Sequence, residues 1–169
     1  MRFNPVLPLV LSAVIAAPAF ADNHVGPRLT GEIVNPAGEN IGSVSLFETA
    51  SGVIRVNVQA TGLAPGAHGV HIHETGVCEG DFSSAGGHLS GGMEHGLVAG
   101  GPHPGDLPNG FVGDDGVLSM EALTTRVDIN QIEDEDGSAL VIHSGPDDYE
   151  SQPAGDAGDR VACAVLSAS

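Results

Sequence analysis

The sequence predicts an all-β protein, a barrel or a sandwich of eight strands, for which Greek-key wiring is the usual connection. Eight short runs rich in Val and Ile follow one another, separated by Gly, Pro, Asn and Asp. No apolar pattern keeps a helical repeat over ten residues. The predicted strands are residues 29–34, 41–47, 53–58, 66–73, 117–123, 127–132, 139–143 and 161–166.

The first 21 residues are expected to be a cleaved signal peptide and not part of the fold. Arg2 supplies a short positive start, residues 6–20 are mostly apolar, and residues 19–21 form a small-x-small cleavage site. The apolar run is short for a membrane span. The expected mature domain is therefore residues 22–169, exported to the periplasm or secreted.

The charge balance restricts the partners that this domain is expected to bind. Without Arg2, the mature chain has four arginines and no lysine against 22 acidic residues, a net charge of −18. A chain this acidic would repel a phosphate backbone, so nucleic acid is not an expected partner. An anionic membrane surface is not expected to bind the mature form for the same reason.

The strand at residues 66–73 is predicted to have two different faces. Side chains alternate along a strand, so Val70 and Ile72 point one way and His71 and His73 the other. The apolar pair can enter a core. The two imidazoles then lie side by side, close enough to share one metal ion, and imidazole pairs suit copper and zinc.

Two segments, residues 74–115 and 144–159, are predicted to be long loops. Loops of this length in a small domain are either functional or disordered. The first contains Cys78, three histidines and Asp106, and a metal and a disulfide would order it. The chain has two cysteines, Cys78 and Cys163, and an even count in an exported chain predicts one disulfide.

Seven side chains are candidate metal ligands: His71, His73, His88, His95, His103, His143 and Asp106. One tetrahedral site takes four ligands, so seven fit two metals if one ligand is shared. A histidine can be shared only as imidazolate, through both ring nitrogens. A set of three histidines and one aspartate suits zinc, and a set of four histidines suits copper.

With these ligands in this order, the chain resembles the copper/zinc superoxide dismutases, as an exported bacterial-type member. The resemblance covers nearly all of the mature chain. It depends on six motifs in the family's order: Gly-Val-His-Ile-His-Glu at 69–74, Ser-Ala-Gly-Gly-His at 84–88, His-Gly at 95–96, Pro-His-Pro-Gly-Asp-Leu at 102–107, Leu-Val-Ile-His at 140–143 and Gly-Asp-Arg-Val-Ala-Cys at 158–163.

The resemblance implies a fold and a metal assignment. The fold is an eight-stranded Greek-key β-barrel with a long metal-binding loop and a second, active-site loop. The implied copper ligands are His71, His73, His88 and His143. The implied zinc ligands are His88, His95, His103 and Asp106, with His88 as the bridge.

The resemblance also implies roles for residues that bind no metal. Asp147 would join a zinc histidine to a copper histidine, with neighbouring Asp148 as the rival for this position. Arg160 would hold the superoxide anion, and His88 would carry a proton during turnover. Cys78 and Cys163 match the family disulfide. His68 matches a structural position and is not counted as a ligand.

The implied function is the disproportionation of superoxide to O₂ and H₂O₂ by a copper that changes oxidation state beside a structural zinc. The alternative is a periplasmic copper/zinc carrier on the same fold, and a purely structural barrel comes third. The seven ligands with Arg160 favour the enzyme, because a carrier needs neither a bridge nor a cation for an anion. Monomer and homodimer both stay open.

The new N-terminus is a further candidate copper site. Cleavage after Ala21 would begin the mature chain with Asp22, Asn23 and His24. A free amine, two backbone amides and a histidine at position three can surround copper(II) in a square plane. The alternative is a terminal histidine that binds nothing, which is common at chain ends.

Overall fold

The computed structural model describes residues 24–169, and in these residues nine antiparallel strands form one sheet. The expected signal peptide and the side chains of the N-terminal copper site, Asp22, Asn23 and His24, lie outside what is described. The strands are β1 His24–Val34, β2 Asn40–Thr49, β3 Ile54–Ala60, β4 Gly66–His68, β5 Val70–His73, β6 Gly110–Val112, β7 Leu118–Thr124, β8 Ser138–His143 and β9 Arg160–Ala168.

The sheet curls into a nearly closed barrel. Its strand order is β4-β6-β7-β3-β2-β1-β9-β8-β5, so β4 and β5 occupy its two ends although only Gly69 separates them in the chain. Neighbours such as β3 and β7, or β1 and β9, are far apart in sequence, which is the wiring of a Greek key. The predicted all-β Greek-key barrel is confirmed.

The nine strands differ from the predicted eight because two strands are gained and one predicted strand is lost. The predicted strand 66–73 is interrupted at Gly69, whose N–H donates to Gly145 O and whose carbonyl accepts from the His143 N–H, 2.8 and 2.9 Å away. The first predicted loop contains β6, which pairs with β4. The second predicted loop, residues 144–159, agrees with the prediction, since it contains neither helix nor strand.

The predicted strand at residues 127–132 is wrong. This segment contains a single helical turn, α1 Ile129–Ile132, which begins in a capping box formed by Asp128 and Gln131. Ile129 and Ile132 are both buried, and their spacing of three matches one turn of helix and not the two-residue period of a strand. The local hydrogen bonds of the capping box therefore prevail over the β-branched composition.

Alternation of apolar and polar residues builds the barrel core. In β3, Ile54, Val56 and Val58 are buried while Arg55 is exposed, as the sequence predicts. Val70 and Ile72 of β5 join the same core. No helix in the described part of the chain is long and apolar enough to cross a membrane.

A second apolar cluster lies under the long loop. Phe82 and Ala85 of the loop pack against Ala139, Val141 and Cys163 of β8 and β9. The Cys78–Cys163 disulfide joins the same two parts of the molecule, which confirms the predicted pairing. Packing and a covalent bond thus hold the start of the loop on the barrel.

Breaking this disulfide should lower the free energy of unfolding by about 2–5 kcal/mol, because it closes a long segment of the unfolded chain. Its two cysteines are 85 positions apart. Urea unfolding of the parent with and without reductant, beside a Cys78→Ala/Cys163→Ala variant, measures the effect. A reductant effect as small in the parent as in the variant would contradict the prediction.

Candidate metal centre

The middle of β5 attaches the long loop to the barrel. One edge of β5 pairs with β8. On the other edge, the Ile72 N–H donates to Gly105 O and the Ile72 carbonyl accepts from the Leu89 N–H, both at 2.8 Å. Two loop segments are thereby laid beside β5, with His71 opposite Asp106 and His73 opposite His88.

Four buried histidines converge on one side of this arrangement. His71 and His73 of β5, His88 of the loop and His143 at the end of β8 each present a ring nitrogen within 4.8 Å of the others. These nitrogens (Nδ1 of His71 and Nε2 of the other three) are buried and have no hydrogen-bond partner in the described residues. Buried polar atoms are nearly always paired, so four unpaired lone pairs facing one point fit a metal ion.

The opposite ring nitrogens explain why these lone pairs face inward. His71 Nε2 donates to Asp147 Oδ2 at 2.8 Å, His73 Nδ1 to Gly86 O at 3.0 Å and His143 Nδ1 to Gly158 O at 3.2 Å. All three partners are acceptors, so each ring carries its proton on the outer nitrogen. The inner nitrogen is left unprotonated, which is the form that binds a metal.

A second group adjoins the first and shares His88 with it. His88, His95, His103 and Asp106 also place their ligand atoms within 4.8 Å of one another. The Asp106 carboxylate lies 3.0 Å from His88 Nδ1, 3.1 Å from His95 Nδ1 and 3.2 Å from His103 Nδ1. Three nitrogens and one carboxylate are a donor set that zinc takes. His88 thus turns one ring nitrogen toward each group.

Asp147 joins the two groups from behind. Its Oδ2 accepts from His71 Nε2 at 2.8 Å and its Oδ1 from His95 Nε2 at 3.0 Å. The carboxamide of Asn109 holds both backbone groups of Asp147, at 2.8 and 2.9 Å. The rival Asp148 is exposed and accepts hydrogen bonds within its own turn. The structure therefore places Asp147, and not Asp148, between the two sets.

Arg160 at the start of β9 reaches the same loop. Its guanidinium donates to Phe82 O at 2.5 Å and to Gly86 O at 2.6 Å. Gly86 O also accepts from His73 Nδ1, so Arg160 and a candidate ligand share one carbonyl. A cavity of about 510 Å³ opens over His143 and is lined by the second loop, including Ser151, Gln152 and Asp156.

Burial sets the protonation states of the site. Burial first, and neighbouring imidazoles after it, lower the pKa of His73 to about 2, of His143 to about 3 and of His88 to about 4. Burial opposes ionisation of Asp147, but hydrogen bonds from His71, the Tyr149 N–H and His95 outweigh it and lower its pKa to about 2. Neutral imidazoles and ionised carboxylates are the forms that bind metals.

The sequence named every member of these two groups, and Asp147 behind them, but missed the other contacts that hold the groups in place. The carbonyls of Gly86 and Gly158 and the side chains of Asn109 and Gln152 hold the site, and no residue pattern signals these contacts. His68 belongs to neither group. It is buried with its ring nitrogens on the carbonyls of His143 and Ala64, 2.6 and 2.8 Å away, in agreement with the structural position expected of it.

Comparison with known proteins agrees with this geometry. A family model described as copper/zinc superoxide dismutase matches residues 40–166. A Cu-Zn superoxide dismutase of Aquifex aeolicus is 46% identical over 144 residues, covering 80% of this chain and 84% of that one. The structure is similar to a SOD-like protein from Bacillus subtilis (TM-score 0.74, 36% identity, 82% and 97% covered). It is also similar to a Cu/Zn superoxide dismutase from Brucella abortus (TM-score 0.70, 30% identity, 83% and 99% covered).

The metal-free protein should lose stability as the pH falls from about 7 to about 4.5. The unfolded chain protonates His73, His88 and His143 near pH 6.5, whereas the folded chain keeps them neutral until lower pH. The unfolded state then binds more protons, so each histidine removes up to about 1.4 kcal/mol of stability per pH unit.

Urea unfolding at several pH values measures this dependence. Acid also protonates carboxylates, which would stabilise the fold by reducing the repulsion between its negative charges. About 1 M salt screens this repulsion beyond about 3 Å, so the measurement is made at that salt concentration. A free energy of unfolding that stays constant over this range would contradict the prediction.

Proposed function

The chain belongs to the copper/zinc superoxide dismutase family, and we propose how its own residues carry out the reaction of that family. The enzyme converts two superoxide anions and two protons into O₂ and H₂O₂. The observation that carries the residue assignment is the pair of buried ligand groups joined at His88. A copper/zinc carrier, the alternative function, is not favoured.

The proposed copper ligands are His71, His73, His88 and His143, and the proposed zinc ligands are His88, His95, His103 and Asp106. The four unpaired nitrogens and the carboxylate among three imidazoles support this division. When bound, copper supplies the one-electron exchange with superoxide, and zinc, which has no redox chemistry, supplies a fixed positive charge. His88 turns Nε2 to the copper set and Nδ1 to the zinc set.

His88 is proposed to hold a proton during turnover. Its Nε2 has no other partner in the described residues, so a proton taken up there can be passed to the oxygen species that leaves as H₂O₂. Its Nδ1 lies 3.0 Å from Asp106, and the contact keeps the ring in place during the transfer. Asp147 is proposed to fix the tautomers of His71 and His95 through its two oxygens.

Arg160 is proposed to draw the superoxide anion to the site. Its hydrogen bonds to Phe82 O and Gly86 O fix the plane of the guanidinium and use two of its five N–H groups. The whole chain carries a formal charge of −17, and Asp156 lines the cavity mouth. The attraction must therefore act at short range, against a field that repels anions at longer distance.

Export is proposed from the leader-like residues 1–21 and is supported by the disulfide, since disulfides persist in oxidising compartments. The periplasm and the exterior are both compatible with it. The copper site at Asp22, Asn23 and His24 stays a proposal, and both oligomeric states, monomer and homodimer, stay open. Nucleic acid and membranes stay unexpected as partners of the mature form.

The function is tested by superoxide turnover of mature protein loaded with one copper and one zinc. Metal content measured on the same sample separates the two functions. Rapid turnover supports the enzyme. A protein that retains both metals and does not turn over superoxide would favour the carrier function instead.

Replacing the shared histidine should disturb both metals. With cobalt in the zinc site, His88→Ala should abolish the magnetic coupling between cobalt and copper(II) and weaken retention of both ions. His95→Ala is the matched comparison, because it removes a ligand of the zinc group only. Electron paramagnetic resonance and metal analysis measure the effects. Absence of coupling in the parent would remove His88 as a bridge.

Arg160→Ala should lower the turnover rate and the affinity for azide, an anion probe, by about 10- to 100-fold while copper is retained, because a local charge that concentrates the anion is lost. Arg126→Ala is the control, since it makes the same change in net charge at an exposed position just after β7. Equal azide binding in Arg160→Ala and the parent would exclude Arg160 from the anion site.

A further inference from the structure

Gln152 connects the cavity mouth to the zinc group. Its Oε1 accepts from the His95 N–H and its Nε2 donates to the His95 carbonyl, both at 2.8 Å. One carboxamide thus holds both backbone groups of a candidate zinc ligand. His95 is completely buried, whereas Gln152 is exposed, so the contact joins the surface of the second loop to the interior of the metal loop.

The same loop segment contacts His95 a second time. Gly155 lies over the hydrogen bond between Asp147 and His95, so closely that a Cβ there would be 1.9 Å from Asp147 Oδ1 and 2.7 Å from His95 Nε2. Its φ of +68° also favours glycine. The Gly155 N–H donates to Ser151 O at 2.7 Å and its carbonyl accepts from the Asp148 N–H at 2.9 Å, which closes a compact turn on the imidazole.

This turn also forms the wall of the opening over His143. Residues 151–154 and 156–158 line the cavity there, and Gly158 O accepts from His143 Nδ1. One short segment therefore touches a ligand of each group: His95 through Gln152 and Gly155, and His143 through Gly158.

Asn109 makes the corresponding contact in the opposite direction. Its carboxamide extends from the end of the metal loop and holds both backbone groups of Asp147 in the second loop. Asn109 thereby fixes the beginning of the second loop. The cavity wall, residues 151–158, lies beyond Asp147. Among the described residues, Gln152 is the one whose side chain bonds this wall to the metal loop.

We propose that Gln152 is a positioning residue that couples zinc binding at His95 to the order of the cavity wall at residues 151–158. The inference rests on the proposed zinc ligands. When zinc fixes His95, its backbone becomes a rigid partner for the Gln152 carboxamide, and the wall is held in place. By thermodynamic linkage, an ordered wall strengthens zinc binding by the same factor.

The experiment uses copper-free mature protein with and without one zinc per chain. Hydrogen–deuterium exchange of the peptide that spans residues 150–159 measures the order of the wall, and transfer of zinc to a chelator measures its retention. In the parent, zinc should slow exchange in this peptide. In Gln152→Ala, zinc should leave about 10- to 100-fold faster, as is typical when a partner of a metal ligand is removed. The slowing of exchange by zinc should disappear.

Two variants serve as controls. Gln152→Glu keeps an acceptor for the His95 N–H and loses the donor to its carbonyl, so its zinc release should be intermediate. Gln59→Ala removes an exposed glutamine of β3 that donates to Ser119, on the barrel surface, and should behave as the parent. Unchanged exchange in the strands β2 and β3 verifies that Gln152→Ala is folded. Because Gln152 is exposed, its truncation leaves no cavity in the core.

Each outcome decides the inference. Zinc-dependent protection of residues 150–159 that persists in Gln152→Ala overturns it, even if zinc leaves faster, because Gln152 would then only support His95. If the parent binds zinc but Gln152→Ala behaves as the parent does, the inference is overturned and the proposed function stands. A parent that binds no zinc overturns the proposed ligands and the inference together.

Discussion

The metal centre depends on the backbone of one residue, Ile72. Its side chain is fully buried in the barrel core, and its two backbone groups pair outward with Gly105 and Leu89 of the metal loop. A buried strand edge must find hydrogen-bond partners, and here the loop supplies them. Gly105 is required for the approach, since a Cβ there would lie 2.3 Å from Ile72 O. This pairing sets His88 and Asp106 beside the histidines of β5, so core packing and metal geometry share one strand.

The carbonyls and carboxylates around the site complete what the strand begins. To bind a metal, each histidine of the first group needs one inward-facing, unprotonated nitrogen. An acceptor on the other side of the ring fixes this tautomer for three of the four. Gly86 O accepts from both His73 and Arg160, so the position of the proposed anion-binding residue is tied to that of a proposed ligand. The Cys78–Cys163 disulfide and the burial of Phe82 hold the same segment on the barrel. The proposed anion attraction, the orientation of His73 and the anchoring of the loop thus depend on one short stretch of chain.

The errors of the sequence-based fold have a common cause. At residues 127–132 the β-branched composition favours a strand, but the side chains of Asp128 and Gln131 cap a helical turn. At Gly69 the chain leaves one end of the sheet and enters the other, which no local pattern marks. At residues 110–112 three residues become a strand because β4 lies beside them. In each case a hydrogen-bond partner that is invisible in the composition, or distant in the chain, decides the local structure.

The residue pattern alone predicts the barrel class, the disulfide and the seven members of the two candidate metal groups. Alternation, cysteine count and residue chemistry are local properties, and the motif order identified the family. The folded barrel is needed to show which nitrogen of each imidazole faces inward, that Asp147 and not Asp148 joins His71 to His95, and that Gln152 holds His95. These depend on acceptors and donors up to 76 residues away, such as Asp147 for His71. The residue type determines the chemistry of a side chain, whereas the closure of the whole barrel determines which partner that side chain meets.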